Sequence, residues 1–169
     1  MGDLKEFWHF GQDLNTKKYE QLTNSFGYDA EGAVSPDGDW VVFSSNRSGY
    51  NEEMSDSDRQ LFEKDKSFKM DIYKKNINNG EIIRLTDVDG YDGGPFFSSD
   101  GKKITWRRFS KDGTTAEIYV MDSDGKNTKK ITNLNAMSWA PFYHPSGEYI
   151  LSLIHISEPT RRRGISYAV

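Results

Sequence analysis

The sequence has no cysteine among its 169 residues. Disulfide bonds, zinc sites with cysteine ligands and thiol catalysis are therefore excluded, although this absence does not fix the cellular compartment. No apolar run approaches the roughly 20 residues that a membrane-spanning helix needs, so we expect no membrane span. Basic residues number 22 against 26 acidic ones, and a chain without a basic excess is not expected to bind nucleic acid.

Catalytic and nucleotide-binding motifs are also missing. The sequence contains no GxSxG elbow, HExxH helix, phosphate loop or dinucleotide fingerprint. Asp122–Gly125 (DSDG) resembles the start of a calcium loop, but the further oxygen ligands and the distal glutamate do not follow it, which favours a hairpin turn. We therefore expect no catalytic residue, no metal site and no cofactor in this chain.

What the sequence does contain is an internal repeat. Three segments align with one another, namely Tyr28–Ser45, Tyr91–Arg108 and Met137–Ile150. In each unit a threonine stands 14 residues before the same turn position: Thr23 before Asp37, Thr86 before Asp100 and Thr132 before Ser146. The spacing is 46 residues from Asp100 to Ser146 and 63 residues from Asp37 to Asp100. The first unit therefore carries an insertion.

Each unit can be divided into four short strands separated by turns. Ser35–Gly38 (SPDG) has good type I turn chemistry, and the flanking strands are rich in β-branched and aromatic residues. A period in the forties with four strands per unit is typical of propeller blades. We predict an all-β fold, a partial β-propeller of consecutive four-stranded antiparallel blades, with about three blades in an incomplete ring. The expected blade core comprises Val41, Phe43, Ile72, Tyr73, Ile104, Trp106, Ile118 and Val120.

The repeat also predicts the order of the units along the chain. It divides into 1–27 as outer strands of a preceding blade, 28–90 as a blade with a charged insertion at 50–69, 91–136 as a second blade, 137–150 as the first strands of a truncated blade, and 151–169 as a non-native tail. For the insertion, its high charge favours a solvated loop. The alternative is a short amphipathic helix over Asp56–Lys66, anchored by Leu61 and Phe62.

The end of the sequence departs from the repeat. Leu151–Arg161 (LSLIHISEPTR) resembles the in-frame translation of a sequencing adapter, and Ile165–Val169 (ISYAV) resembles the outer adapter that follows it. A native basic tail is the alternative. Residues 1–150 hold fewer than three blades, whereas propellers have roughly 4–8. We therefore expect a truncated piece of a longer protein, with a ring closed by several short arcs as the alternative. Self-association is left open.

Two motifs carry a family resemblance. Val42–Gly49 (VFSSNRSG) and Ile118–Gly125 (IYVMDSDG) are similar to the TolB-type, WD40-like propeller repeat, and the resemblance covers about residues 7–150. Trp106–Arg108 stand where Ser-Asn-Arg is usual; of the two arginines there, one is expected to reach a carboxylate and the other solvent. The resemblance implies a non-catalytic binding scaffold of the bacterial cell envelope, periplasmic or otherwise exported. Similar propellers precede zinc aminopeptidase or prolyl oligopeptidase domains, so a propeller domain of a larger peptidase is the alternative.

The positions just before each inner strand predict a binding surface. Asp29, Glu31 and Asp92 occupy matching places in two units, and Trp139 stands at the corresponding place in the third. His144 ends an inner strand, which in this repeat family borders the central channel. We expect these five residues to hold a protein or peptide partner at the channel mouth, with stacking on Trp139. The alternative is that they cap strand ends and that His144 is satisfied by turn hydrogen bonds.

Overall fold

The computed structural model describes residues 10–12, 15–155 and 163–168. It confirms the predicted all-β architecture of consecutive antiparallel blades. Before the first blade, β1 (Phe10–Gln12) and β2 (Tyr19–Gln21) form an antiparallel hairpin. Within these described ranges, the structure holds no helix that is long and apolar enough to cross a bilayer.

The strands of each blade follow one another from the inner to the outer position. The first blade contains β3 (Asp29–Val34), β4 (Trp40–Ser45), β5 (Lys69–Asn76) and β6 (Ile82–Arg84). The second contains β7 (Gly90–Phe97), β8 (Lys103–Phe109), β9 (Ala116–Asp122) and β10 (Lys129–Lys130). The described part of the third contains β11 (Met137–Tyr143), β12 (Tyr149–His155) and β13 (Arg163–Ala168). Sequential strands within each blade pair antiparallel, as short connections allow.

Adjacent blades are joined by packing and by very short parallel bridges. Met70 of β5 lies opposite Tyr91 of β7, and Ala116 of β9 lies opposite Met137 of β11. Between the first two blades one buried cluster fills the junction: Val42, Ile72, Phe97, Ile104, Trp106 and Met121. The opposite face of the first blade buries a second cluster, formed by Val41, Phe43 and Tyr73. This division follows from the alternation of side chains along a strand, and all eight predicted core residues are buried.

The threonine landmarks of the repeat have the same structural role in two blades. Thr86 Oγ1 accepts a hydrogen bond from the backbone N–H of Ile72 at 2.9 Å and donates to the buried carboxylate of Asp71. In the next blade Thr132 Oγ1 accepts a hydrogen bond from the backbone N–H of Ile118 at 2.8 Å and donates to Glu117. This threonine brace ties the end of each outer strand to the third strand, which explains the constant spacing of these residues.

The turn between the inner and second strands is also built in the same way in successive blades. Ser35 Oγ accepts the backbone N–H of Trp40 at 2.9 Å and donates to Asp37 at 2.5 Å. Ser98 makes the equivalent pair of bonds in the second blade. Gly38 follows with a φ of +82°, a conformation that glycine adopts without steric cost.

The insertion is folded rather than a solvated loop. It contains α1 (Ser48–Asn51), α2 (Asp56–Lys64) and a 3-10 turn at Lys66–Phe68. Ser55 caps α2 by accepting the backbone N–H of Asp58. Phe62 is fully buried, and its ring meets that of Tyr50 edge to face at 5.0 Å. The helix was the alternative interpretation of this segment, and it forms because Phe62 supplies a buried contact that offsets the cost of ordering a charged chain.

The strand that crosses Ile150 continues into the adapter-like residues. β12 ends at His155, and β13, which lies within the tail, pairs antiparallel with it. Ser152 in this extension is buried. The structure therefore includes residues 151–155 and 163–168 in the third blade, whereas the sequence analysis left them outside the fold. The pairing follows from the free edge of β12, which offers unpaired backbone groups to any strand within reach.

Candidate binding groove

One end of the blades gathers the strand ends that the repeat pattern singled out. β3, β7 and β11 all begin at this end. The insertion leaves β4 and enters β5 here as well, since Asp29 lies opposite Ser45 and Ser45 lies opposite Asp71. The β8–β9 turn is also here, because Asp92 lies opposite Arg108. This inner-strand end corresponds to the surface at which the sequence predicts a channel mouth.

Asp29 and Asp92 are bound by arginines of their own blades. Arg47 Nη2 donates to both oxygens of Asp29 at 2.9 and 2.8 Å, while Arg108 donates to Asp92 through Nε and Nη2 at 2.7 Å each. Both carboxylates are nearly inaccessible, with 1% side-chain exposure. They fix the start of β3 to the residues just after β4, and the start of β7 to β8, as the capping alternative supposed. Neither carboxylate presents itself to a ligand.

Both arginines of β8 bind carboxylates, so the expectation that one of them faces solvent is wrong. Consecutive residues point to opposite faces of a strand, and here each face offers an acid. Arg108 pairs with Asp92 inside the blade. Arg107 instead crosses to the preceding blade, where its Nη2 lies 2.5 Å from Oε1 of Glu31.

Glu31 is the centre of a contact between the first two blades. Its Oε2 accepts the Tyr91 hydroxyl at 2.9 Å and the backbone N–H of Gly94 at 2.7 Å. Burial, and then the negative charge of Glu31, raise the pKa of the Tyr91 hydroxyl, which therefore remains a neutral donor. Gly94 has a φ of +60°, and a Cβ at this position would collide with Nη1 of Arg107. The glycine is thus needed both for its backbone conformation and for the approach of the arginine.

Three aromatic rings surround the guanidinium of Arg107. Its Cζ lies 4.8 Å from the ring centre of Trp139, 5.4 Å from Tyr91 and 5.9 Å from Phe109. The residue is only 6% exposed. Its Nε finds no acceptor among the residues that the structure describes. We call this arrangement of Arg107 with Tyr91, Phe109 and Trp139 the aromatic box.

The aromatic box forms one side of a groove of about 500 Å³. The insertion and the β8–β9 turn provide most of the rest of the groove wall. These two segments contribute Leu61, Lys64, Asp65, Phe68, Lys111 and Asp112. The lining therefore combines basic and acidic side chains with four aromatic ones. This combination of aromatic surface with a few polar groups is typical of ligand sites.

His144 does not belong to this groove, which corrects its place in the predicted site. Trp139 lies near the start of β11, whereas His144 follows the opposite end of the strand and is absent from the groove lining. There His144 Nδ1 lies 3.0 Å from Ser146 Oγ, and its ring stacks on Tyr149 at 4.2 Å. It is a turn residue satisfied by local contacts, as the alternative interpretation held.

Of the five predicted site residues, only Trp139 lines the groove. Glu31 lies behind the wall, where it binds the lining residues Arg107 and Tyr91. Sequence reasoning did not assign Arg107 to the site, although its departure from the repeat consensus was the available signal. Tyr91 and Phe109 carried no signal of their own because aromatic residues are common throughout the blades. The contribution of the insertion was not predictable, since it depends on a fold between distant strands.

No protein-family model matches the chain. Among curated proteins, an uncharacterised protein of Agrobacterium fabrum is 33% identical over 82 residues, covering 48% of this chain and 27% of its own length. The Tol-Pal system protein TolB of Francisella tularensis is 33% identical over 63 residues, covering 37% of the chain and 14% of its own length. Dipeptidyl-peptidase 5 of Porphyromonas endodontalis is 29% identical over 110 residues, covering 64% of the chain and 14% of its own length.

Solved structures agree on the fold. TolB from Acinetobacter baumannii superposes with a TM-score of 0.68 at 19% identity, covering 94% of this chain and 34% of its own. The chain forms blades of a TolB-like β-propeller. The β-propeller domain of the Trilobed protease from Pyrococcus furiosus is similar at a TM-score of 0.52 and 19% identity, covering 76% of this TolB-like chain and 35% of its own. The chain spans between 14% and 27% of the length of the three curated relatives.

Proposed function

We propose that this TolB-like propeller is a non-catalytic binding unit of the bacterial cell envelope, exported from the cytoplasm, that takes a segment of a protein or peptide partner into the groove. The observation that carries the proposal is the aromatic box, a nearly buried arginine enclosed by three rings on the wall of an open groove. Arginine and large aromatic residues in such pockets provide most of the energy in many protein interfaces.

The dimensions and charges of the groove support a peptide segment as the occupant. A volume of about 500 Å³ lies within the range of ligand pockets. The mixed charges of Lys64, Asp65, Lys111 and Asp112 at the rim suit polar backbone and side-chain groups, since a rim of a single sign would favour one charge. Resemblance to TolB supports the cell envelope as the location.

Display of random 12-residue peptides against the chain tests this proposal. We expect the selected peptides to lose binding by at least about tenfold when Leu61→Ala or Trp139→Ala removes part of the groove wall. Ile82→Ala is the matched control for Leu61, because Ile82 has a similar exposure, 43% against 41%, on an outer strand. Equal losses in the groove variants and in the control would contradict the proposal.

A propeller domain of a larger peptidase is the second candidate. The match to dipeptidyl-peptidase 5, which covers 64% of this chain, favours it. In that case the groove would position a substrate for a catalytic domain elsewhere in the protein. Sequencing the genomic reading frame that contains codons 1–150 distinguishes the two candidates: a hydrolase domain in the same frame supports the peptidase, and a frame of propeller blades alone supports the binding unit.

A further inference from the structure

Not all hydrogen-bond donors of the Arg107 guanidinium in the aromatic box have an acceptor. Arg107 Nη2 donates to Glu31 at 2.5 Å and to the Tyr91 hydroxyl at 3.3 Å. Nε, in contrast, is buried and has no acceptor within the described part of the chain. A buried donor without a partner is destabilising, so a small turn of the side chain that brought Nε to an acceptor on a ligand in the groove would remove an existing cost.

The carboxylate that pairs with Arg107 is partly exposed to solvent. Glu31 is the single carboxylate partner of Arg107 among the described residues, and that side chain is 32% exposed. The surrounding rings reduce the contact of the cation with water, which strengthens its attraction for an anion. A monoanion suits this site better than a dianion, because repulsion by Glu31 grows with the charge of the ligand.

We propose that the groove recognises a peptide carboxylate through Arg107, with an apolar side chain of the same peptide resting on Trp139 and Phe109. The proposal rests on the peptide-binding function proposed above and adds the chemistry of its ligand. A carboxylate matches the planar guanidinium and supplies the acceptor that Nε lacks. The edge-to-face pair of Phe109 and Trp139, with ring centres 5.4 Å apart, provides the apolar surface beside it.

Isothermal titration calorimetry with three short peptides tests this inference on the full chain. The probes are acetyl-Ala-Ala-Phe as the free acid, the same peptide as its carboxamide, and acetyl-Ala-Glu-Phe carboxamide. We expect the free acid to bind on the order of tenfold more tightly than its amide, as a charge-assisted hydrogen bond provides. Recovery of this affinity by the third peptide would identify a side-chain carboxylate as an acceptable source; failure to recover it would assign the site to the peptide C-terminus.

Glu31→Gln and its control Glu81→Gln make the test specific without altering Arg107, and Arg107→Lys then tests the guanidinium itself. Glu31→Gln removes the competing negative charge, so the preference for acid over amide should increase several-fold. Glu81→Gln removes the same charge from an exposed position at the start of the outer strand region of the first blade, and the preference should not change. Arg107→Lys keeps the positive charge but loses the planar fork, and should reduce the preference.

The outcomes separate this inference from the function on which it rests. Equal affinities for acid and amide, both lost in Trp139→Ala, would overturn the carboxylate while leaving a peptide groove. A preference that Glu31→Gln does not change would also overturn it. Absence of binding by all three probes at millimolar concentration, together with failure of the peptide display, would overturn both.

Discussion

Glu31 and Arg107 form an ion pair across the junction of the first two blades, with 2.5 Å between Oε1 and Nη2. The two residues are 76 positions apart in the sequence. Since the parallel bridges at this junction involve few residues, the ion pair is one of its main polar contacts among the described residues.

Loss of this contact should weaken the junction. We expect Glu31→Ala to lower the free energy of unfolding by about 2 kcal/mol, because it leaves the buried Arg107 without its charged acceptor. Urea denaturation measures the change. Glu81→Ala, at an exposed position, is the control and should stay within about 0.5 kcal/mol of the parent. A similar small effect of Glu31→Ala would show that the junction does not depend on the pair.

Two aspartates that form ion pairs should differ in their contribution to stability because only one of them is buried. Asp92 is buried with Arg108, whereas the side chain of Asp124, which pairs with Lys126, is 52% exposed. We expect Asp92→Ala to cost about 3–5 kcal/mol, because it strands a charge inside the blade. Asp124→Ala should cost less than about 1 kcal/mol. Thermal or urea unfolding of both variants provides the comparison, and equal losses would contradict it. For this reason Asp92 variants are unsuitable probes of ligand binding.

The titration of Asp71 should make the stability of the protein depend on pH. Burial raises the pKa of Asp71 to about 6, against the opposing influence of Arg84. Because the folded state then binds the proton more tightly than the unfolded state does, this group destabilises the fold increasingly as the pH rises from about 4 to about 6. We expect the stability of the parent relative to Asp71→Asn to fall across this window, by on the order of 1–3 kcal/mol.

Asp112 supplies a control of opposite sign for this titration. Hydrogen bonds from Ser110 and Thr114 lower the pKa of this exposed carboxylate to about 2. Its stabilisation is therefore present above about pH 4 and is lost as the pH falls toward 2. The stability of the parent relative to Asp112→Asn, measured by urea unfolding from pH 2 to pH 7, should therefore rise with pH. If the parent and Asp71→Asn had parallel pH profiles, the pKa assigned to Asp71 would be wrong.

Adjacent residues of α2 should have different roles. Phe62 is fully buried, and Leu61 is 41% exposed on the groove wall. We expect Phe62→Ala to cost about 3 kcal/mol and to increase cleavage of the insertion in limited proteolysis. Leu61→Ala should leave the proteolysis pattern unchanged while weakening peptide binding. Equal protease sensitivity of the two variants would contradict the anchoring role of Phe62.

Truncation after Ile150 tests the role of the adapter-like residues. We expect the free energy of unfolding to fall by no more than about 1 kcal/mol. Ile150 is the last residue in the described apolar clusters, and Leu151 and Leu153 beyond it are 43% and 60% exposed. Chemical denaturation of the truncated and full chains measures the difference. A larger loss would mean that the pairing of β13 with β12 contributes substantially to the third blade.

The fold was predictable because its rules are local. The turn braces and the threonine brace connect residues within one unit, and strand alternation assigns Val41 and Val42 to opposite faces. The site was less predictable because its contacts cross between units. Glu31 meets Arg107 only when two blades stack, and the insertion borders the groove only after Phe62 has docked. His144 was misplaced because proximity to the inner strand does not specify which end of that strand a ligand would approach.

The threonine brace affects how the number of blades can change during evolution. Each threonine brace lies within one repeat unit, so a gene segment of one repeat length encodes all the residues of a blade and of its brace. A duplicated segment would need only a compatible neighbouring face to be accommodated. Blade number can then vary by unequal recombination. The differences between blades are concentrated in the few side chains that cross a junction, as Glu31 and Arg107 do.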